Sequence, residues 1–398
     1  MSKIVGVVGV GTNVSYKPRW QSPHLPSTTI LANGPLKPGD SGWVQIGEYD
    51  PEEDKRMAQE SGVVKPPYTI PTMEEIRAIP WNGFNVVSTF SGGGGSCLGY
   101  RMAGFRVLWA NEFVEAAQDT YKANHPNSIL DTRDIRTIKP EEILAATGLK
   151  VGELDIFDGS PPCSAFSTAG KREKGWGKTK NYSDGKEQVV DDLFFEYVRI
   201  LKGLQPKVFI AENVSGLVKG AAKGYFLMIL KALKDCGYSV EAKLLNAEWL
   251  GVPQTRLRVI FVGVRNDLVD ERGVSPVHPQ PFPYRYSLRE AIADLEWYRA
   301  GGYFDRWKSA DEPYGTVPAD GHRLLYSAYM SANGYVMDKA GDKRKLMIPE
   351  VKRLCSFPDD FILTGNEAQQ WERCGRSVPP LMAREIGLSV LNGILRKL

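Results

Sequence analysis

The sequence is poor in the residues that hold metals and disulfides. Its 398 residues include five cysteines, and no two of them form a C-x-x-C pair. The four histidines form no H-x-x-x-H pair, the spacing that places two metal ligands on one face of a helix. The scattered cysteines therefore argue against a disulfide framework, and the sequence predicts no metal site.

Long apolar runs and a strong net charge are missing as well. No stretch approaches the roughly 20 apolar residues that a membrane helix needs, and the N-terminal MSKIVGVVGVGTNV has no basic region or cleavage site of a signal peptide. The formal net charge is only +3, so a nucleic-acid surface must come from local clustering. We expect a cytoplasmic protein without a membrane partner.

Strand-like and helix-like segments alternate through the middle of the chain. FNVVSTF, RVLWANEF, LDIFDGS and KVFIAENV read as buried strands with helical segments between them, and a hairpin-like pair follows. This alternation predicts an α/β fold with a doubly wound, mostly parallel sheet. We expect an N-terminal extension at 1–82 and the sheet domain at 83–265, completed by a C-terminal helix at 375–398. Residues 266–374, which begin without clear periodicity, are expected to form a smaller irregular domain and a hinge.

A glycine-rich loop, FSGGGGSCLGY from Phe90 to Tyr100, lies between a predicted strand and a predicted helix. Gly92 and Gly94 allow the backbone to approach a ligand closely at the helix N-terminus. The loop does not fit G-x-G-x-x-G, which argues against a nicotinamide oxidoreductase. A nucleoside-type cofactor site and a simple packing turn both explain it.

Acidic residues end the next two predicted strands. Glu112 lies about 20 residues beyond the glycine loop, where a pair of ribose hydroxyls is held in nucleotide-binding folds. Asp134 and Ile135 follow the third strand and suit an adenine edge. These positions suit a nucleoside-type cofactor, and a glycine turn that packs a helix on a strand explains the loop equally well.

Further strand ends carry reactive or charged side chains. Cys163 follows two prolines at the end of the fourth strand, and Glu212 ends the next one, at the same edge of a parallel sheet. Arg256 and Arg258 alternate with apolar residues in QTRLRVIFVGVR, so we expect both to point to one face. The long basic stretch at 164–190 fits a lid over a polyanion. Each feature taken alone also fits a structural role or solvated surface.

In chain order, these segments resemble the motif series of the DNA cytosine-5 methyltransferases. The resemblance covers residues 84–265 and 342–398 and rests on nine motifs: FSGGGG, NEF, RDI, PPCSAFS, DLFFEYVRIL, AENV, QTRLR, LMIPEVKRLCSFPDDF and GRSVPP. It implies S-adenosylmethionine as cofactor, double-stranded DNA as partner and no metal. It also implies that the smaller domain is a target-recognition domain that reads bases in the major groove.

The resemblance assigns a role to each candidate residue. Cys163 is expected to attack C6 of cytosine, because C5 alone is too weak a nucleophile. Glu212 is expected to bind N3 and the exocyclic amine, Arg258 to hold O2, and Arg256 to order the neighbourhood. The base is flipped out of the duplex, and the 164–190 loop closes behind it. The implied cofactor contacts are Phe90, Gly92, Gly94, Glu112, Asp134, Ile135, Pro162, Leu193, Arg376, Ser377 and Val378.

One position departs from the family pattern. The last motif normally reads Gly-Asn-Ser-Val, and here Arg376 replaces the asparagine. Its side chain either turns to DNA phosphate or solvent, with methyl as the transferred group, or pairs with a carboxylate on that group. The second alternative makes carboxy-S-adenosylmethionine the donor and 5-carboxymethylcytosine the product.

Two other classes share parts of this pattern. A tRNA cytosine-5 methyltransferase has the same catalytic motifs. A non-catalytic DNA-binding relative is disfavoured because Cys163, Glu212 and Arg258 are all present. We expect a monomer from a bacterial or phage-infected cell, and the target sequence and a restriction endonuclease partner stay open.

Overall fold

The computed structural model describes residues 64–162, 192–218, 222–300, 306–319 and 335–398, together with short strands at 7–9, 29–32, 43–46, 179–181 and 187–189. Cys163 and most of the 164–190 loop lie outside the described residues.

The described strands, numbered along the chain, are β1 (Val7–Gly9), β2 (Thr29–Ala32), β3 (Trp43–Ile46), β4 (Asn85–Thr89), β5 (Arg106–Asn111), β6 (Ile129–Asp131), β7 (Ile156–Gly159), β8 (Thr179–Asn181), β9 (Glu187–Val189), β10 (Val208–Val214), β11 (Tyr238–Asn246), β12 (Leu257–Arg265), β13 (Leu295–Ala300), β14 (Arg306–Ser309), β15 (Tyr335–Asp338) and β16 (Lys343–Lys345).

The described α-helices are α1 (Met73–Ala78), α2 (Gly95–Met102), α3 (Glu115–Asn124), α4 (Pro140–Thr147), α5 (Leu193–Leu204), α6 (Ala222–Asp235), α7 (Asn266–Arg272), α8 (Leu288–Ala291), α9 (Ile348–Leu354), α10 (Glu367–Arg376) and α11 (Pro380–Gly393). No helix in the described part of the chain has the length and apolar character that crossing a membrane requires.

The main sheet has the strand order β1-β3-β2-β11-β12-β10-β7-β4-β5-β6. β10, β7, β4, β5 and β6 are parallel neighbours, and β12 runs antiparallel to both β10 and β11. Six of the seven strands from β11 to β6 therefore share one direction, which confirms the predicted mostly parallel α/β sheet. At the far edge β2 pairs with β11, so part of the N-terminal extension continues the sheet.

Helices cover both faces of this sheet, which is why its strands read as nearly continuous apolar runs. In β4, Val86 packs in the core on the α2 and α11 side, and Val87 packs in the core on the α5 and α6 side. α11 lies directly on α2. The two helices are so close that a Cβ on Gly99 would clash with the carbonyl oxygen of Pro380. The C-terminal helix is thus packed on the sheet domain, and the division into domains stays a prediction.

The region after β12 is more regular than expected. β13 to β16 form a four-stranded antiparallel sheet in the order β14-β13-β15-β16. Tyr298 and Val336 are buried on one face, whereas Trp297 on the other face is 41% exposed. Because aromatic and basic residues occupy the open face, the alternation of apolar and polar residues is obscured in the sequence.

The end of the N-terminal extension is ordered against the body. The hydroxyl of Tyr68 donates a 2.8 Å hydrogen bond to the carbonyl oxygen of Arg353. Thr72 caps α1, and the backbone N–H of Met73 donates to both carboxylate oxygens of Asp360 at 3.0 Å. Residues 64–80 therefore connect the start of the sheet domain with the segment after α9.

Candidate active site

Four parallel strands bring the predicted site residues to one edge of the sheet. β7, β4, β5 and β6 are adjacent, and their carboxyl ends lead into the loops that carry Pro162, Phe90, Glu112 and Asp134. Ligands in open α/β sheets bind at this edge, outside the carboxyl ends of the strands.

The glycine loop has one open side and one closed side. Phe90, Gly92 and Gly94 all have positive φ angles, of 54°, 57° and 92°. A Cβ on Gly92 would have no atom within 4 Å, whereas a Cβ on Gly94 would stand 2.2 Å from Nε2 of His125. The loop therefore leaves room for a ligand at Gly92 and packs on the protein at Gly94.

Glu112 holds the glycine loop from the end of β5. Its Oε2 accepts a 2.7 Å hydrogen bond from the backbone N–H of Gly92, and its Oε1 accepts one of 2.6 Å from Val114. Burial raises the pKa of this carboxyl group, although these hydrogen bonds and the charge of Arg373 oppose the effect. A carboxylate thus lies beside the open side of the loop.

Arg136 links the Asp134 carboxylate to Asp192, the residue immediately before Leu193. The Asp134 carboxylate accepts from the backbone N–H of Arg136 at 3.0 Å, and the Nε of Arg136 donates to Asp192, immediately before α5, at 3.2 Å. Ile135 and Leu193 are 2% and 0% exposed. The two apolar side chains therefore belong to the core behind the strand ends.

These residues fit the adenosyl part of S-adenosylmethionine. The space at Gly92 is open, so a ligand can approach the backbone there, and the Glu112 carboxylate beside it can accept from ribose hydroxyls. The apolar surroundings of Ile135 suit a purine ring.

A buried ion pair occupies the end of β10. Nε of Arg258 lies 2.8 Å from Oε1 of Glu212, and the two side chains are only 14% and 15% exposed. Val214 is the register partner of Arg258 in β12 and lies two residues beyond Glu212. The side chains of Glu212 and Arg258 therefore point to the same face of the sheet. Burial lowers the pKa of Arg258, and Glu212 opposes this.

The same strand end is tied to the loop that leads to Cys163. The Asn213 side chain donates a 3.2 Å hydrogen bond to the carbonyl oxygen of Pro161. Pro162 follows and is partly buried. The chain up to Pro162 thus leads to the edge where Glu212 and Arg258 lie. Cys163, the next residue, is outside the described residues.

Arg256 is buried and links the start of β12 to the last motif. β12 begins at Leu257, so Arg256 precedes the strand on which alternation was expected. Its guanidinium, in a residue only 1% exposed, donates to the carbonyl oxygens of Gly375 and Ser377 at 2.8 Å and of Val317 at 3.3 Å. Burial lowers the pKa of Arg256 to about 9, with a further contribution from the charge of Arg258. Arg256 therefore contacts the last motif directly, on both sides of Arg376.

Arg376 is the last residue of α10, and the turn begins at Ser377. Its Nε donates a 2.6 Å hydrogen bond to Glu372, one helical turn earlier. Glu372 is also 3.0 Å from the guanidinium of Arg373. The pair of Glu372 and Arg376 has the i, i+4 spacing that stabilises a helix, by about 0.2–0.5 kcal/mol, at its C-terminal end.

The turn after α10 lies against the glycine loop. A Cβ on Gly95 would stand 2.5 Å from the carbonyl oxygen of Val378 and 3.0 Å from Cβ of Ser377. Arg373 packs beside Gly93 in the same way, at 3.7 Å. The last motif and the first therefore meet at the N-terminus of α2.

Two buried polar residues at the site were missed by the sequence analysis. Asp158 in β7 accepts hydrogen bonds from three hydroxyl groups, and His125 contacts the glycine loop. Asp158 lies in the predicted strand LDIFDGS. A carboxylate among apolar residues is the one sequence signal that could have indicated a buried polar site there.

Comparison with known proteins agrees with this fold. The model of the family described as C-5 cytosine-specific DNA methylase matches residues 84–300 and 297–392. The Type II methyltransferase M.NgoPII of Neisseria gonorrhoeae is 31% identical over 80% of this chain and 98% of its own length. M.MthTI of Methanothermobacter thermautotrophicus is 30% identical over 78% and 99%.

Solved structures support the fold. A mutant Dnmt2 from Spodoptera frugiperda aligns with a TM-score of 0.56 at 20% identity, over 76% of this chain and 98% of its own. The family match and the two methyltransferase relatives, together with this fold, define an S-adenosylmethionine-dependent methyltransferase. This chain belongs to the C-5 cytosine-specific DNA methylases, enzymes that transfer a methyl group to C5 of cytosine in DNA.

Proposed function

We propose that Cys163, Glu212 and Arg258 form the catalytic group of this methyltransferase. The ion pair between Glu212 and Arg258 carries the proposal, because it fixes two complementary groups at one strand end. Asn213 ties that end to the loop before Cys163. A carboxylate and a guanidinium beside a thiol-bearing loop match the N3, amine and O2 edge of cytosine.

Each residue has a distinct part in the reaction. The thiolate of Cys163 adds to C6 and makes C5 nucleophilic. Glu212 binds N3 and the exocyclic amine and stabilises charge that develops on the ring, and Arg258 donates to O2. S-adenosylmethionine, when bound, supplies the methyl group. Loss of the C5 proton and of the thiolate then restores the aromatic ring.

The cofactor pocket is proposed at the edge formed by β7, β4, β5 and β6. Its open side at Gly92 and the Glu112 carboxylate support this placement. The residues proposed to form it, at its surface or directly behind it, are Phe90, Gly92, Gly94, Glu112, Asp134, Ile135, Pro162, Leu193, Arg376, Ser377 and Val378.

A cytosine inside a duplex cannot reach this edge, so the base has to leave the stack before reaction. We propose that the 164–190 loop, with its many lysines, closes behind the flipped base. The small sheet of β13 to β16 and its loops then read the flanking bases in the major groove.

Methyl is the proposed transferred group. Arg376 already donates to Glu372 at 2.6 Å, and this carboxylate, which Arg373 shares, reduces the positive charge that is unfavourable near a sulfonium. The second candidate is carboxymethyl transfer from carboxy-S-adenosylmethionine. It is supported by the 34% exposure of the Arg376 side chain beside the turn at 377–378.

Mass spectrometry of DNA treated with each donor separates the two. The first proposal expects 5-methylcytosine, with the same donor preference in Arg376→Asn. The second expects 5-carboxymethylcytosine from the unaltered protein, with roughly 10- to 100-fold loss of donor preference in Arg376→Asn, the scale of one charge-assisted hydrogen bond.

Covalent trapping tests the catalytic group. With S-adenosylmethionine and a duplex containing 5-fluorocytosine at the target site, the unaltered protein should form an adduct that survives denaturation, and Cys163→Ala should form none. The target site is found first by sequencing methylation on a plasmid carried with the gene. Trapping on tRNA but not on duplex DNA would contradict the proposed substrate.

We further propose that the protein acts as a cytoplasmic monomer in a bacterial or phage-infected cell, as part of a restriction-modification pair or alone. Sedimentation of the purified protein with and without duplex DNA tests the oligomeric state.

A further inference from the structure

A carboxylate without a basic partner among the described residues lies beneath the glycine loop. Asp158 in β7 is 3% exposed. Its Oδ2 accepts hydrogen bonds from the hydroxyls of Ser88 at 2.8 Å and Ser96 at 3.1 Å, and its Oδ1 accepts one from Tyr100 at 2.8 Å. In contrast to Asp155 and Glu212, it takes part in none of the ion pairs of the described residues.

Neutral hydroxyls compensate a buried carboxylate only in part. Moving an ionised carboxylate out of water is costly unless a positive charge lies nearby. Burial accordingly raises the pKa of Asp158 to about 6, against the effect of the three hydroxyls, and Glu212 adds to the rise. The group is therefore mostly ionised near neutral pH, and a nearby positive charge would stabilise it.

Asp158 lies close to the N-terminus of α2 and to the proposed site of the cationic cofactor. Ser96 is in the first turn of α2, directly after the glycine loop, and Ser88 is the register partner of Asp158 in β4. Pro162, a proposed cofactor contact, follows four residues later. A helix N-terminus carries partial positive charge and favours anions, whereas the sulfonium of S-adenosylmethionine is a cation. A fixed carboxylate behind this helix end offsets its positive charge.

We propose that Asp158 is the electrostatic specificity residue that makes this site prefer the cationic sulfonium donor over its neutral thioether product, S-adenosylhomocysteine. The proposal rests on the proposed cofactor site. Asp158 acts through the field behind the glycine loop, and it needs no contact with the ligand.

Calorimetric affinities for the two ligands test this inference. In Asp158→Asn, we expect the ratio of the affinity for S-adenosylmethionine to that for S-adenosylhomocysteine to fall on the order of tenfold, the scale of one charge–charge interaction at the effective dielectric constant of a protein site. Tyr100→Phe is the matched control, because it removes one hydrogen bond of Asp158 and keeps the charge. It should change both affinities together.

An unchanged ratio in Asp158→Asn, or an equal fall in Tyr100→Phe, would overturn the inference. If the unaltered protein binds neither ligand, the proposed cofactor site itself is wrong, which is a separate result.

A second measurement needs no variant and covers the case in which Asp158→Asn does not fold. In the unaltered protein the affinity ratio should fall as the pH drops from 8 to 5, because Asp158 becomes protonated. The other titratable groups that face it are Cys97, Tyr100, Tyr197 and Glu212. Burial raises the pKa of Cys97, Tyr100 and Tyr197, so these three stay neutral in this range. Repeating the titration in Glu212→Gln isolates Asp158, and a ratio that does not change with pH in that variant would contradict the proposal.

Discussion

Arg256 and Gly375 are 119 residues apart in the chain, and the guanidinium of Arg256 donates a 2.8 Å hydrogen bond to the carbonyl oxygen of Gly375. This contact, with those to Ser377 and Val317, joins the start of β12 to the last motif and to the loop after β14. The close fit is visible at Gly375, where a Cβ would stand 2.6 Å from the carbonyl oxygen of Pro318.

Arg256→Lys should destabilise the protein because the compact ammonium cannot reproduce the planar fork of N–H donors with which the guanidinium reaches the carbonyl oxygens of Gly375, Ser377 and Val317. We expect a loss of about 2–4 kcal/mol in the free energy of unfolding, typical of a broken buried polar network. Urea denaturation measures it. The control is Arg353→Lys, a 42% exposed side chain, for which we expect about 0.5 kcal/mol or less. Equal effects of the two changes would show that Arg256 has no special structural role.

Glu212→Gln should slow the chemistry and leave cofactor binding intact. The amide cannot hold the charge of Arg258 or stabilise the ring during attack, so the rate of adduct formation with 5-fluorocytosine DNA should fall about 10²- to 10³-fold. Calorimetry should find the affinity for S-adenosylmethionine within about twofold. Glu241→Gln is the matched control, a half-buried carboxylate of β11, which is separated from β10 by β12. A normal rate of adduct formation in Glu212→Gln would remove Glu212 from the catalytic group.

Gly92→Ala should fold but bind the cofactor poorly, because its Cβ would enter the open space beside the glycine loop. Gly148→Ala is a close control. Gly148 also has positive φ, 70° against 57° at Gly92, and open space around its Cβ, but it caps α4 away from the site. Both changes should cost about 1 kcal/mol of stability, and only Gly92→Ala should lose S-adenosylmethionine affinity, by on the order of tenfold or more. Similar affinities in the two variants would mean that the cofactor lies elsewhere.

His125 should make the protein sensitive to acid. Burial, and then the charge of Arg101, lower the pKa of His125 from 6.5 to about 3. Below pH 6.5 the His125 side chain binds a proton in the unfolded chain but not in the folded protein. The free energy of unfolding therefore decreases as the pH falls from 6.5 towards 3. The loss approaches about 1.4 kcal/mol per pH unit.

Urea denaturation at pH 7.5 and 5 measures this effect. His125→Phe should lose about 2 kcal/mol less than the unaltered protein between the two pH values. His278 is also buried, with its pKa lowered to about 4, but it is present in both proteins and cancels in the comparison. Parallel losses would show that His125 does not control the acid sensitivity.

The sequence predicted the parts of the site that depend on local pattern. The alternation of strands and helices indicated the parallel sheet, and the strand ends then brought Glu112 and Glu212 to one edge. The strand pair β11–β12 also follows local rules, and the hairpin-like pair expected there is confirmed. The small sheet was not predicted, because its strands are three to six residues long and one face is open to solvent.

By itself the sequence determined which chemical groups are available and in what order: the glycine loop, the acidic strand ends, the cysteine after two prolines and the paired arginines. Only the tertiary structure decided which groups meet. Arg256 turns to Gly375 and Ser377, Arg258 pairs with Glu212, Arg376 is held by Glu372, and Asp158 lies behind α2. Motif patterns are local, whereas these contacts depend on strand register and on the packing of helices from distant parts of the chain, which decide where each side chain finds room and a partner.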